Sequence, residues 1–116
     1  MKATVFRVQD KRGRGPFQPG FTAKWLQQHK ELPPYYLEFD IDVRAEQAMG
    51  NVLGCACRDL EQLKKWFTEQ EFKTLQKLGF KAVRLEVDRI IESSDIQCVF
   101  SRARQLRKGA VEVKLY

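Results

Sequence analysis

The sequence has little of what marks several common classes of protein. No apolar run approaches the ~20 residues that a membrane-spanning helix needs, and the opening residues include no signal-peptide apolar region. There are only three cysteines and one histidine. One histidine cannot build a multi-histidine metal site, and an odd cysteine count without regular spacing is no disulfide framework. We therefore expect a cytoplasmic protein that has reduced thiols, no metal site and no membrane contact.

Familiar phosphate-binding and nucleic-acid motifs are also missing. A GxxxxGK[ST] loop does not occur, and Gly13-Arg14-Gly15 is too short for the GxGxxG motif that opens a helix. The RNA-recognition aromatic pattern, zinc-finger spacing and a convincing helix-turn-helix are absent. Cys55-x-Cys57 with a remote Cys98 lacks structural-zinc spacing, so packing is the role we expect for Cys55 and Cys57.

What is present indicates one folded domain spanning residues 1–116. The composition is 43% apolar and 31% charged, which is typical of a soluble globular protein and not of a disordered one. A chain of this length can build one ordinary hydrophobic core. We therefore expect a single domain with a single core.

The net charge of +6 is concentrated at the two ends of the chain. Residues 1–30 contain seven Lys or Arg and one acid, and residues 101–116 contain five and one. Residues 31–60 are acidic, with six acids against two cations. Because the termini of a small domain often lie close together, the basic ends are expected to form one surface for nucleic acid, a nucleotide or an acidic protein. The alternative is solvated charge that only keeps the protein soluble.

The order of predicted elements favours an α+β fold. Asp59 with Gln62, and Thr68 with Glu71, match the capping box at two consecutive helix starts, and Gly79 is a stop signal for the second helix. Its inner face is predicted to comprise Phe72, Leu75 and Leu78. Because βαβ alternation is missing, we expect a mixed, mostly antiparallel sheet with two to three helices. The remaining predicted elements are strands at 4–8, 52–57, 81–87, 95–101 and 110–115, a helix at 21–29, and a half-exposed strand or acidic loop at 35–43.

The first seventeen residues predict a site for an anion. Arg7 stands at the centre of an apolar strand, where arginine is rare unless its guanidinium has a carboxylate or phosphate to bind. The strand leads into a loop with two glycines, Gly13 and Gly15, and three further cations. Glycines let a backbone approach a ligand closely, and bare amides with cations form an anion-binding concavity.

Three segments together resemble small prophage-type proteins of the ADP-ribosyltransferase-like superfamily. They are the strand around Arg7 with Asp10-x-x-Gly13-x-Gly15-Pro16-Phe17, the run Gly54-Cys55-Ala56-Cys57-Arg58 before Leu60-x-x-Leu63-x-x-Trp66-Phe67, and Ser94-Asp95-Ile96-Gln97-Cys98-Val99-Phe100. The resemblance implies an ADP-ribosyltransferase-like fold, NAD as cofactor and a protein as substrate or partner. It also implies the cofactor-binding residues Arg7, Asp10, Gly13, Gly15, Phe17, Gly54, Cys55 and Arg58.

The catalytic part of this resemblance departs from the family pattern at Gln97. That position normally holds a glutamate, whose charge stabilises the oxocarbenium-like transition state and whose carboxylate can act as a base. A glutamine amide can hydrogen-bond a ribose hydroxyl but supplies neither the negative charge nor the base. A neighbouring acid, Glu92 or Asp95, is the candidate to replace it.

Three functions therefore compete at the level of sequence. The first is a mono-ADP-ribosyltransferase that uses NAD and modifies a host protein. The second is a non-catalytic, phage-type inhibitor that binds a host protein. The third is a basic protein that binds nucleic acid through its termini, with affinity that falls steeply with salt.

Overall fold

The strands of the described residues form two antiparallel sheets of three strands each. The structure is a computed structural model, and it describes residues 2–15, 45 and 48–116. In the first sheet the order is β1 (Ala3–Gln9), β3 (Lys81–Val87), β6 (Val111–Glu112). In the second it is β2 (Val52–Ala56), β5 (Cys98–Arg102), β4 (Arg89–Ser93). The predicted α+β class with mostly antiparallel pairing is confirmed, but the single sheet becomes two.

Two features of the backbone connect the sheets. Phe6 in β1 and Cys57 after β2 exchange both backbone hydrogen bonds, with N···O distances of 2.8 and 2.7 Å. Asp88 alone separates β3 from β4, and its N–H donates to the Ser101 carbonyl at 3.0 Å. The chain therefore passes from one sheet to the other within one residue, which is why residues 81–93 form two strands in different sheets.

Two consecutive helices follow β2, and each begins at a side-chain cap. Helix α1 (Leu60–Lys64) starts at Asp59, whose carboxylate accepts from the Gln62 N–H at 2.7 Å. The Gln62 side chain does not complete the predicted box on Asp59, because its Oε1 accepts from the Arg58 N–H instead. Helix α2 (Glu69–Lys77) starts at Thr68 with the full capping box to Glu71, as predicted.

Apolar side chains form two clusters, one on each face of β1. Val8 belongs to a cluster with the helices and β3, whose other buried members are Cys57, Leu63, Phe67, Phe72, Leu75, Phe80, Ala82 and Leu115. Val5, on the opposite face of the strand, packs between the sheets with Ala56, Leu85, Val87, Cys98 and Phe100. Because strand side chains alternate, Arg7 shares the face of Val5 and is directed toward the second sheet.

Several predicted boundaries are wrong for local reasons. Leu78 is 52% exposed and not on the inner face of α2, because the helix ends at Lys77 and Gly79 (φ +96°) turns the chain. The predicted strand at 95–101 begins only at Cys98, since Ser94 closes a turn with Gln97. The strand at 110–115 pairs only over Val111–Glu112, after which the chain covers the first cluster with Leu115.

Some expectations cannot be compared with the fold. The predicted helix at 21–29 and the strand or acidic loop at 35–43 lie outside the described residues. Over the part that is described, no helix is both long and apolar enough to cross a membrane.

Candidate ligand-binding pocket

Arg7 is buried at the junction of the two sheets. Only 8% of the residue is exposed, and its guanidinium carbon lies 5.7 Å from the centroid of the Phe100 ring. This distance is within the range of a cation–π contact. Phe100 is fully buried on β5. The positive charge of Arg7 therefore lies against an aromatic ring of the core and not in solvent.

Gly54 provides the space for this arrangement. It pairs with Phe100 across the β2–β5 ladder. A Cβ atom at Gly54 would stand 2.6 Å from Phe100 Cζ and 2.9 Å from Arg7 Nη1, closer than real Cβ contacts come. A glycine within a strand often marks such a close approach. A glycine at position 54 is therefore required by the arginine and the ring.

The described residues do not fully satisfy the Arg7 guanidinium. Its Nε and Nη1 atoms are buried and have no hydrogen-bond partner within residues 2–15, 45 and 48–116. Burial lowers the pKa of Arg7, and the nearby Cys55 and Asp10 only partly oppose that effect. Arginine nevertheless keeps its charge in proteins. Each unsatisfied buried donor costs roughly 1–3 kcal/mol, so the site is costly unless an acceptor binds there.

A small pocket opens beside Arg7. Its volume is about 60 Å³, which has room for a few water molecules or for one carboxylate or phosphate group. Its walls are largely apolar, with Arg7 as the cation. The lining residues are Arg7, Val8, Gly15, Cys55, Ala56, Cys57, Leu63, Trp66, Phe67 and Gln97.

Helix α1 and the residues after it hold the far wall in place. The Trp66 indole Nε1 donates to the Ile96 carbonyl at 2.9 Å. The Gln62 amide, one turn earlier, donates to the Ser94 carbonyl at the same distance. These two bonds tie the helix to the 94–97 turn that carries Gln97. The indole N–H therefore has a partner, and its ring can line the pocket.

The glycine loop after β1 contributes less to the pocket than predicted. Gly15 lines the pocket, whereas Asp10 and Gly13 are not part of its lining. Those two residues bond to each other within the loop. The Asp10 Oδ1 accepts from the N–H groups of Arg12 and Arg14, both at 2.9 Å. Burial raises the pKa of Asp10, but these bonds and the Arg14 side chain outweigh burial and leave that pKa below its ordinary value. Asp10 therefore organises the turn.

The three cysteines are free thiols, as expected. Cys55 lines the pocket and is half-buried, whereas Cys57 and Cys98 are buried. Burial raises the pKa of Cys55, and the Arg7 charge opposes that rise. Burial also raises the pKa of Cys57, and that of Cys98 to about 11. Within the described ranges no cluster of three or more metal-ligating side chains occurs.

The candidate catalytic residues do not assemble around the pocket. Gln97 is 1% exposed and lines it. Glu92 is exposed on β4, and Asp95 is exposed in the turn. Asp95 lines a separate surface hollow with Arg58, and neither residue is in the lining of the Arg7 pocket. No Asp or Glu among the described residues lines the Arg7 pocket. Phe17 lies outside the described residues.

Sequence reasoning missed much of the apolar lining. Ala56, Cys57, Leu63, Trp66 and Phe67 line the pocket, yet their pattern indicates ordinary core packing. A signal was present in Trp66, because its polar N–H requires a partner when buried. A tryptophan beside a strand with two thiols is therefore as consistent with the wall of a pocket as with the hydrophobic core.

Comparison with known proteins gives one match that covers nearly the whole chain. No curated protein and no solved structure matches, so the ADP-ribosyltransferase-like fold has no support from a neighbour. A family model described as "Bacteriophage T4 Y00F protein" matches residues 1–114. The expectation of a phage-type protein is thereby confirmed. The chain belongs to the Bacteriophage T4 Y00F protein family.

Proposed function

We propose that this phage protein binds a small anionic ligand, with a phosphate or carboxylate group held by Arg7. The observation that carries the proposal is the pair of buried Arg7 donors, Nε and Nη1, at the edge of a pocket, for which the described part of the chain provides no acceptor. A planar guanidinium forks onto phosphate and carboxylate with two parallel hydrogen bonds. An anion there would remove the cost of the unsatisfied donors.

The pocket walls favour a ligand that also has a ring or an apolar part. Trp66 and Phe67 form one side, and Cys55, Ala56 and Cys57 form another. Nucleotides, NAD among them, combine phosphates with flat rings and are the first class to test. A space of about 60 Å³ takes one group of such a ligand, so the rest would lie over the rim.

Binding without ADP-ribosyl transfer is the form of the proposal that the chemistry supports. The described pocket has an amide, Gln97, where a carboxylate would stabilise positive charge on a ribose. Neither Glu92 nor Asp95 is among its lining residues. Mono-ADP-ribosyl transfer is therefore the secondary hypothesis.

The test is a binding titration that reports from the pocket wall. The chain has two tryptophans, so a Trp25→Phe background leaves Trp66 as the fluorescent probe. NAD, ATP and inorganic phosphate are titrated in a buffer without phosphate, and calorimetry confirms each signal. We expect at least one of them to bind, and Arg7→Met to weaken it by about 10-fold or more, since charge-assisted bonds contribute roughly 1.5–3 kcal/mol each.

Arg84→Met is the matched control. It removes one exposed cation from β3 and leaves the pocket lining intact, so affinity should be unchanged. Equal losses of affinity in Arg7→Met and Arg84→Met, or no binding of any of the three probes, would overturn the proposal. Incubation with labelled NAD and a host lysate completes the design. Label transferred to a protein and lost in Arg7→Met would replace simple binding by catalysis.

A further inference from the structure

Two basic loops, residues 10–15 and 102–109, lie directly against each other. Gly13 has a φ of +86°, and a Cβ atom on it would lie 2.9 Å from the Arg107 backbone nitrogen and 3.1 Å from Leu106 Cβ. The Gln9 side-chain amide donates to the Leu106 carbonyl at 2.9 Å. The basic ends of the chain are therefore packed together, on a contact that only a glycine at position 13 permits.

Each loop has its own internal brace. In the first, Asp10 holds the backbone N–H groups of Arg12 and Arg14, and its carbonyl accepts from the Gly13 N–H. In the second, the Arg102 guanidinium is buried and donates to the Gln105 and Lys108 carbonyls, both at 2.6 Å. These braces fix the shape of the loops and leave the other cationic side chains at the surface.

The resulting surface carries a strong excess of positive charge. The two loops contain seven Lys or Arg and a single acid, Asp10. Asp10 bonds within its own turn, and Asp88, on the adjoining crossing between the sheets, caps the Ala103 N–H at 2.7 Å. We call the exposed set the two-loop basic surface; its members are Lys11, Arg12, Arg14, Arg104, Arg107 and Lys108.

We propose that the two-loop basic surface binds the phosphate backbone of a nucleic acid duplex. Four of its six members are arginines, which bind phosphate through a planar fork. The loops contain no aromatic residue. Proteins that hold single strands stack bases on aromatic side chains, and protein–protein interfaces are enriched in aromatics and depleted in lysine. A surface with cations and no aromatic residues can contact the regularly spaced phosphates of a duplex. Contacts of this kind do not depend on the base sequence.

This surface is independent of the pocket, since Arg7 is buried and belongs to neither loop. Its test is the salt dependence of binding to a labelled 20-base-pair DNA duplex, measured by fluorescence anisotropy between about 50 and 200 mM salt. The logarithm of the binding constant should fall linearly with the logarithm of salt, by about 0.9 for each phosphate contact. A duplex of unrelated sequence should bind equally, and an unstructured single strand of equal length more weakly.

The decisive comparison uses two double variants of equal charge. Arg12→Gln with Arg107→Gln removes one cation from each loop and should reduce the salt slope by roughly two. Lys65→Gln with Lys77→Gln removes two exposed cations near the helices and should leave the slope unchanged.

Three outcomes would overturn the proposal. The first is no duplex binding at about 50 mM salt, and the second is an equal reduction of the salt slope in the two double variants. The third is stronger binding of poly-glutamate or of the single strand than of the duplex. Arg7→Met should bind duplex normally, so this surface and the pocket can fail separately.

Discussion

The Arg7 guanidinium carbon stands 5.7 Å from the centre of the Phe100 ring, at a point where both residues are buried. The two side chains come from different sheets, β1 and β5, and Gly54 lies between them without a side chain. A cation–π contact supports the charge from one side but accepts no hydrogen bond from Nε or Nη1 in the plane of the guanidinium. Stability and the proposed anion binding therefore make opposite demands on Arg7.

Replacing Arg7 by methionine should stabilise the ligand-free protein. Methionine keeps the apolar stem that packs beside Phe100 and removes two buried donors that no described residue satisfies. We expect the free energy of unfolding to rise by about 1–3 kcal/mol, measured by urea denaturation in a buffer without phosphate. Arg7→Lys, which keeps the charge, should give no such gain. A loss of stability in Arg7→Met would show that the guanidinium is already satisfied.

Adding one methyl group at Gly54 should damage the pocket and the core together. In Gly54→Ala the new carbon would overlap Phe100, which has no free space in the buried layer. Overpacking of this kind costs about 1–3 kcal/mol of unfolding free energy. Combining it with Phe100→Leu provides room, so the double variant should lose less than the sum of the single losses. If the stability losses of the two single variants simply add up in the double variant, the steric explanation is contradicted.

The second helix should depend on its cap. Thr68→Ala removes the hydroxyl that accepts from the Glu71 N–H at 3.2 Å and breaks one half of the capping box. We expect a loss of about 1 kcal/mol, with Thr68→Ser close to the original protein. Thermal and urea unfolding both measure it. Because Thr68 is exposed and outside the pocket lining, ligand affinity should not change at a temperature where the variant is folded.

The Asp10 turn should give stability that is lost in acid. The pKa of Asp10 is lower in the folded chain than its ordinary value, since burial is outweighed by bonds from Arg14 and Arg12. Its contribution is therefore complete above the unfolded pKa of about 3.9 and disappears as the pH falls through the lower, folded value. Asp10→Asn should cost up to about 1 kcal/mol at pH 7. The difference between the two proteins should vanish at the acidic end of a pH series, and a constant difference would contradict the linkage.

The sequence predicted the elements whose signals are local. Asp59, Thr68 and Gly79 each act within one or two turns of chain. Thr68 and Gly79 behave as predicted, and Asp59 caps its helix without the predicted box to Gln62. Strand β4 was missed because a bulge between Ile90 and Glu92 disrupts its pairing. The extra residue shifts the side chains and obscures the two-residue period that identifies a strand. Leu78 was misplaced because the apolar period continues one residue beyond the end of the helix.

For the pocket, the sequence predicted members but not the assembly. Arg7, Gly15, Gly54, Cys55 and Gln97 all lie at or beside it, whereas Arg58 and Asp95 lie in another hollow. The separation follows from the turn at Ser94 and from the Arg58 N–H bond to Gln62, which direct both residues to the surface. Such long-range arrangements depend on how sheets and turns pack, and residue spacing carries no information about that packing.

The paired bonds between Phe6 and Cys57 have a consequence for how the pocket can be altered. They link Phe6, which precedes Arg7, to Cys57, two residues after Cys55, and only peptide groups take part. Peptide groups are the same whatever side chains they carry, so this link does not depend on the side chains of residues 7, 55 and 97. Substitutions at those three positions should therefore change the chemistry of the pocket and leave the spacing of β1 and β2 unchanged.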